Sequence, residues 1–225
     1  MKVLAADTAL GACSAAVLES GKVCARAFEL MPRGHAEALA PMVERVMRDA
    51  GLAFTALDRL GVTTGPGTFT GQRVGLAFMR GLALTLKLPL VGVTTLDVMA
   101  EEGLARTGAS LAVACSDARR GEIYLGARGG EGKTLIEPVL LPLGEAATLV
   151  ASVAKDGEAV GLAGTAAEIF APLLATRGLE SRDSKVRQPD AVFVAKLAEK
   201  VREPKGAPAP LYLRPPDAKL PGAPS

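Results

Sequence analysis

The chain has no tryptophan and a single histidine, His35, and aromatic residues make up 4% of its 225 positions. Counting alone excludes a metal site built on two or more histidines. What remains is His35 combined with carboxylates, and a histidine at a helix start reads first as a capping or surface residue. A Ser-His-Asp or Cys-His arrangement would have to use the same residue, and no Gly-x-Ser-x-Gly elbow is present. The thin aromatic supply argues against a base-stacking surface. A dominant charge sign is also missing: 26 Lys and Arg stand against 24 Asp and Glu, a net of +2, short of the basic excess expected where a protein grips RNA by itself. No uninterrupted apolar run approaches the roughly 18 residues of a membrane span.

Cysteine is scarce too. Cys13, Cys24 and Cys115 lie in apolar runs with no Cys-x-x-Cys pair, and read as small buried hydrophobes in a reducing cytosol. Leu10-Gly11-Ala12-Cys13 has the look of a lipoprotein cleavage box, but Asp7 and the short stretch before Cys13 leave no apolar h-region. The expectation is a soluble, cytoplasmic protein without a membrane segment, long enough for one large domain or two small ones.

What the chain does have is glycine at particular places. Thr64-Gly65-Pro66-Gly67-Thr68-Phe69-Thr70-Gly71-Gln72-Arg73 follows the apolar run Leu60-Gly61-Val62 and precedes a helical segment, which predicts a glycine-rich turn between strand and helix whose backbone takes unusual angles. It fits neither common phosphate fingerprint: Thr70 stands where a dinucleotide loop needs glycine, and Gly71-Gln72-Arg73 replaces Gly-Lys-Ser/Thr. Lys2 to Ala6 predicts a first strand, and Cys13 to Leu18 and Val23 to Leu30 a hairpin around Glu19-Ser20-Gly21-Lys22. Leu39, Met42, Val43, Val46, Met47 and Ala50 recur at helical spacing, with Gly51 where a C-terminal cap falls. A strand at Arg59 to Thr63, a helix from about Arg73 to Lys87, a strand at Leu88 to Val93 and a helix from Thr95 to Ala105 complete the set.

That order matches one lobe of an α/β, actin-like (ribonuclease-H-like) ASKHA fold. The pattern then restarts. Strands are expected at Leu111 to Cys115, Glu122 to Ala127, Thr134 to Pro138 and Ala159 to Leu162, and helices at Ala146 to Lys155, Ala166 to Thr176 and Val192 to Val201, the last capped by Asp190. The predicted division is a first lobe over 1–105, a smaller, truncated second lobe over 106–204 whose final helix can pack back on the first, and an extended proline-rich tail over 205–225.

Asp7, Thr8 and Gly11, closing the first strand, occupy the position that grips phosphate and magnesium in sugar-kinase and actin-type folds, although an aspartate there is more often a turn former. Asp117-Ala118-Arg119-Arg120-Gly121-Glu122-Ile123-Tyr124 reads either as a solvated turn or as a recognition edge. On the second helix, Gly71, Gly75, Ala77 and Gly81 lie near one side, and interior glycine costs roughly 1 kcal/mol against alanine. The close neighbour this implies is either the preceding helix or a helix of another subunit. Met42 and Met47 suit irregular contacts.

Together these motifs resemble the TsaB/YeaZ family of bacterial tRNA threonylcarbamoyladenosine biosynthesis proteins. The carrying residues are Leu4-Ala5-Ala6-Asp7-Thr8, His35-Ala36-Glu37, Gly65 to Gly71, Val91 to Leu96, Asp117 to Tyr124 and Pro210-Leu211-Tyr212-Leu213-Arg214. The resemblance implies a two-lobed actin-like fold and a non-catalytic subunit that pairs with the catalytic relative TsaD, with TsaE as ATPase and tRNA reached only through the complex. It implies no resident metal or cofactor, allows ATP only at the assembled complex, and leaves open both self-dimerisation and whether a nucleotide sits at the complex interface. The catalytic relative holds a metal on a His-x-x-x-His pair; here Leu39 follows His35 at that spacing. The heterodimer contact falls on the first two helices, which nominates Leu39, Met42, Val43, Val46, Met47, Gly71, Gly75 and Phe78. The rival reading is an M22-like hydrolase or a sugar-kinase-type ATPase resting on Asp7, Thr8 and Gly11.

Overall fold

The computed structural model describes residues 1–155, 157–202 and 206–214. Its first half runs β1 (Lys2–Asp7), β2 (Ala12–Glu19), β3 (Lys22–Leu30), α1 (His35–Asp49), β4 (Arg59–Thr63), α2 (Phe69–Leu86), β5 (Leu90–Val93) and α3 (Thr95–Thr107). The second half repeats the order with β6 (Leu111–Asp117), β7 (Glu122–Gly129), β8 (Thr134–Pro142), α4 (Leu143–Val153), β9 (Val160–Ala163), α5 (Ala167–Ala175), β10 (Ser181–Asp183) and α6 (Ala191–Lys200). The two sheets have the same plan, β3-β2-β1-β4-β5 and β8-β7-β6-β9-β10. In each, the first three strands are antiparallel and the rest run parallel to the first. This is the actin-like fold, and the second lobe is shortened in its elements, not in its number of strands. The three-residue β10 is the element that composition does not announce.

Several boundaries follow from local chemistry. Ser20 and Gly21 both have positive φ and join β2 to β3, the geometry a two-residue hairpin turn requires. α1 ends in a Schellman motif: the Gly51 N–H donates to Arg48 O at 2.9 Å and the Leu52 N–H to Met47 O at 3.1 Å, with Gly51 at φ 66. α2 begins at Phe69, four residues before the position expected from the glycine pattern, because the Thr68 hydroxyl caps the Gly71 N–H at 3.1 Å. Asp190 caps α6 through the Val192 N–H at 2.9 Å.

The last helix of each half crosses over. α6 packs on β1, β2 and β4 of the first sheet, whereas α3 packs on β6, β7 and β9 of the second. Both sheets are therefore covered on two faces, which is why their central strands are apolar almost throughout. Along β1, Leu4 and Ala6 face α1 and α2, and Val3 and Ala5 face α6. The α6 side is built from small residues: a Cβ on Gly61 would meet the Ala198 and Ala5 methyls. The alanine-rich composition thus allows close helix-to-sheet approach in the layer that joins the halves. Arg59 locks the arrangement, donating to the Ala198 carbonyl at 2.7 Å and also to that of Val201 at the end of α6.

Two expectations need correction. Leu39, Met42, Val43, Val46 and Met47 are at most 3% exposed and fill the core between α1, α2 and the first sheet, so these side chains are closed to a partner; the amphipathic stripe is the lobe's own core face. Cys24 is exposed on β3, while Cys13 and Cys115 are buried. No helix among the described residues is long and apolar enough to cross a membrane.

Candidate functional site

The glycine-rich turn is a packed joint. Gly65 has φ 104, and the Gly65–Pro66 peptide is cis. The Thr95 N–H reaches Gly65 O at 2.9 Å, the Thr95 hydroxyl reaches Pro66 O at 2.5 Å, and Gln72 Nε2 reaches Gly67 O at 2.9 Å. On the other side, the Thr68 N–H donates to Ala9 O at 2.8 Å and the Thr8 hydroxyl to Gly71 O at 2.7 Å. A Cβ on Gly67, Gly71 or Gly75 would collide with Ala9 O, Thr8 O or the Thr8 hydroxyl. Those glycines therefore admit the β1–β2 turn against α2. The neighbour expected to be another helix is, at Gly71 and Gly75, the first lobe's own turn. Gly81 differs: it is exposed, and a Cβ there would meet nothing within 4 Å. Phe78 is half-buried against the core of the first lobe.

Asp7 sits beneath this joint, fully buried. Its Oδ1 accepts the Thr63 hydroxyl at 2.5 Å and the Ala9 N–H at 3.1 Å, and its Oδ2 is buried without a partner among the described residues. Burial raises its pKa to about 7 against the opposing pull of the Thr63 and Ala9 hydrogen bonds. Burial, followed by the nearby carboxylates of Asp7 and Glu29, pushes the Cys13 thiol up to about 12.

Of the three residues grouped at the end of the first strand, only Gly11 reaches the space between the lobes. That space is a cavity of about 480 Å³ walled by Gly11, Gly67 and Thr68 on one side and Ser116, Asp117 and Arg119 on the other. Gly11 donates its N–H to Gln188 Oε1 at 2.7 Å across the junction. Ser116 is 7% exposed and its hydroxyl has no partner among the described residues. The hairpin from Asp117 to Tyr124 is a tight turn: Asp117 Oδ1 accepts the Arg119 N–H at 2.8 Å, and Arg119, Arg120 and Gly121 all have positive φ. Two arginines in the left-handed region make this a constrained rim of the cavity.

His35 is the first residue of α1, with Gly34 as N-cap at φ 88, so it does not cap the helix. It is half-buried, its Nε2 has no partner among the described residues, and it borders a second cavity of about 450 Å³ with Arg33, Thr68 and Thr70. One turn on, Leu39 is 1% exposed in the core. Among the described residues, no three His, Cys, Asp or Glu side chains converge on a common point. Sequence reasoning missed the segment 206–214 as part of the cavity: Arg214 forms one of its walls, and the motif around Tyr212 is the signal that could have found it.

The fold and this cavity define a two-lobed α/β protein of the actin-like class. A family model described as TsaD, tRNA N6-adenosine threonylcarbamoyltransferase, matches residues 29–203, and the chain belongs to that family, on its TsaB/YeaZ side. TsaB of Escherichia coli K12 is 44% identical over 124 residues, 55% of this chain and 53% of that protein. The chain thus matches about half the length of this relative. A Mycobacterium tuberculosis H37Rv protein carrying no assigned function is 35% identical over 221 residues, covering 96% of this chain and 93% of that protein. The solved structure titled YeaZ from Pseudomonas aeruginosa superposes with a TM-score of 0.79 at 30% identity, covering 94% of this chain and 99% of that one.

Proposed function

We propose that this chain is a non-catalytic scaffold subunit in tRNA threonylcarbamoyladenosine biosynthesis, acting in the cytoplasm and pairing with a TsaD-like catalytic subunit. A TsaE-like ATPase completes the assembly, and tRNA is engaged through the complex. The observation that carries this reading is the replacement of a paired-histidine site by core: His35 opens α1, and Leu39, at the spacing of the second histidine, is buried among Met42, Val43 and Leu76. Without that donor pair the chain lacks the ligands for a histidine-held metal at this place, which supports a role in assisting a partner's chemistry. The Thr8 hydroxyl and one carboxylate oxygen of Asp7 are engaged in internal hydrogen bonds, which agrees with a structural role for the first strand's end. The chain by itself carries no cofactor in this reading, and the assembled complex is the one place left for ATP.

The contact belongs to the outer side of α1 and α2, where Pro41, Ala77, Gly81 and Leu84 are exposed, with Leu84 at 80%. Small residues there let a partner helix approach closely, and the same face is available for self-pairing when the chain is alone.

Co-purification with a TsaD-type subunit tests this. Ala77→Glu and Leu84→Arg should abolish pairing and drop reconstituted tRNA modification to background, with circular dichroism and melting preserved. Threonylcarbamoyl transfer by the chain alone, or normal pairing by every folded charge variant on both helices, would overturn the reading.

A further inference from the structure

The halves of the molecule are joined on one side by the crossed helices α3 and α6, which touch each other. A further connection is made by the chain segment after α6. Residues 206–214 run along the first lobe. The Leu211 N–H donates to Thr64 O at 2.8 Å, Arg80 donates to Pro208 O, and Pro208 lies against Gly92 so closely that a Cβ there would overlap it. Tyr212 stacks on Phe69 with ring centroids 6.2 Å apart, and Arg73 lies over the Phe69 ring at 3.5 Å while donating to the Tyr212 hydroxyl at 3.0 Å. Two residues later the same segment reaches the second lobe: Arg214 donates to Ala118 O at 2.7 Å and to the Glu122 carboxylate.

We infer that residues 206–214 form a latch that holds the two lobes at a fixed angle about the α3–α6 junction, with Arg214 as its catch on the β6–β7 hairpin. The chemistry is asymmetric. On the first lobe the strap is held by one main-chain hydrogen bond, a hydrogen bond from the Arg80 side chain, proline packing and an aromatic–guanidinium stack, whereas on the second it is held by one guanidinium. Two hydrogen bonds from a charged group are the stronger kind, yet both leave together when one side chain is removed. The catch also forms a wall of the interlobe cavity, so release opens that cavity while the rest of the strap stays on the first lobe.

Spin labels read the interlobe angle directly. One label goes on exposed Cys24 of the first lobe and one on α4 through Glu145→Cys, leaving buried Cys13 and Cys115 unmodified. The full chain should give one narrow distance distribution. Arg214→Ala should broaden it toward new distances and speed hydrogen exchange at the hairpin amides of Ala118 and Glu122 by about tenfold, the factor that corresponds to ~1.4 kcal/mol. Glu122→Gln removes the same ion pair from the other side and should shift both readouts in the same direction, which keeps the test decisive if Arg214→Ala fails to fold. Distance distributions and hairpin exchange unchanged from the parent in the folded variants would overturn the latch. Neither readout depends on a partner subunit.

Discussion

The Thr63 hydroxyl donates to the Asp7 carboxylate at 2.5 Å, tying the C-terminal ends of the parallel strands β4 and β1 beneath the glycine-rich turn. The bond satisfies one carboxylate oxygen and leaves the other buried without a partner among the described residues.

A pH dependence follows. Burial raises the Asp7 pKa from 3.8 to about 7, so the folded state holds this proton over a range where the unfolded chain has released it. The contribution is fully present below about pH 4 and is lost as pH rises toward 7, by at most on the order of 4 kcal/mol. Asp7→Asn keeps an acceptor for Thr63 and abolishes the titration. The melting temperature of the parent should therefore rise relative to that of Asp7→Asn as pH falls from 7 to 4. A constant difference would show that Asp7 does not titrate in this window.

The glycines of α2 should divide by environment. Gly71→Ala forces a methyl into the Thr8 carbonyl and the Thr68 hydroxyl, and overpacking of this kind costs about 1–3 kcal/mol. Gly81→Ala meets nothing within 4 Å and should stabilise the chain by about 1 kcal/mol through helix propensity. Urea denaturation midpoints of both variants check the opposite signs.

The two faces of the α1–α2 pair should separate in the same way. Val43→Glu places an unpaired carboxylate in a core position that is 1% exposed, with a cost on the order of 4 kcal/mol or more. Leu84→Glu, on a side chain 80% exposed, should stay within about 0.5 kcal/mol of the parent in the isolated chain. Loss of partner binding by Val43→Glu alone would thus report unfolding, whereas loss by Leu84→Glu would report an interface. Thermal melts of each variant distinguish the cases.

Thiol chemistry should single out one cysteine. Cys24 is exposed, while burial pushes the Cys13 and Cys115 thiols up to about 12 and removes the reactive thiolate. Alkylation of the native chain followed by intact mass should show one modification, and three after denaturation. Rapid native labelling of Cys13 would mean that the first sheet opens readily.

The sequence predicted the element order closely because period-two and helical-period patterns report burial directly, and strands covered on both faces are apolar throughout. β4 at Arg59 to Thr63 and the Asp190 cap are legible in this way. The start of α2 was not, since Phe69-Thr70-Gly71-Gln72 has no propensity signal strong enough to outweigh its glycine. Only the Thr68 cap and the docking of Gly71 on Thr8 make it helical.

What the amino-acid sequence determined by itself was the family, the βββαβαβα order of the first half with its restart in the second up to β10, and the lack of a paired-histidine site, because each of these is local or a matter of counting. Tertiary structure decided which faces are free. The stripe from Leu39 to Met47 has the same periodicity whether it meets its own sheet or a partner, and α1's place over β2 makes it core. The exchange of α3 and α6 between sheets, and the placement of Arg214 on the hairpin far from it in sequence, depend on long-range packing that no local pattern encodes.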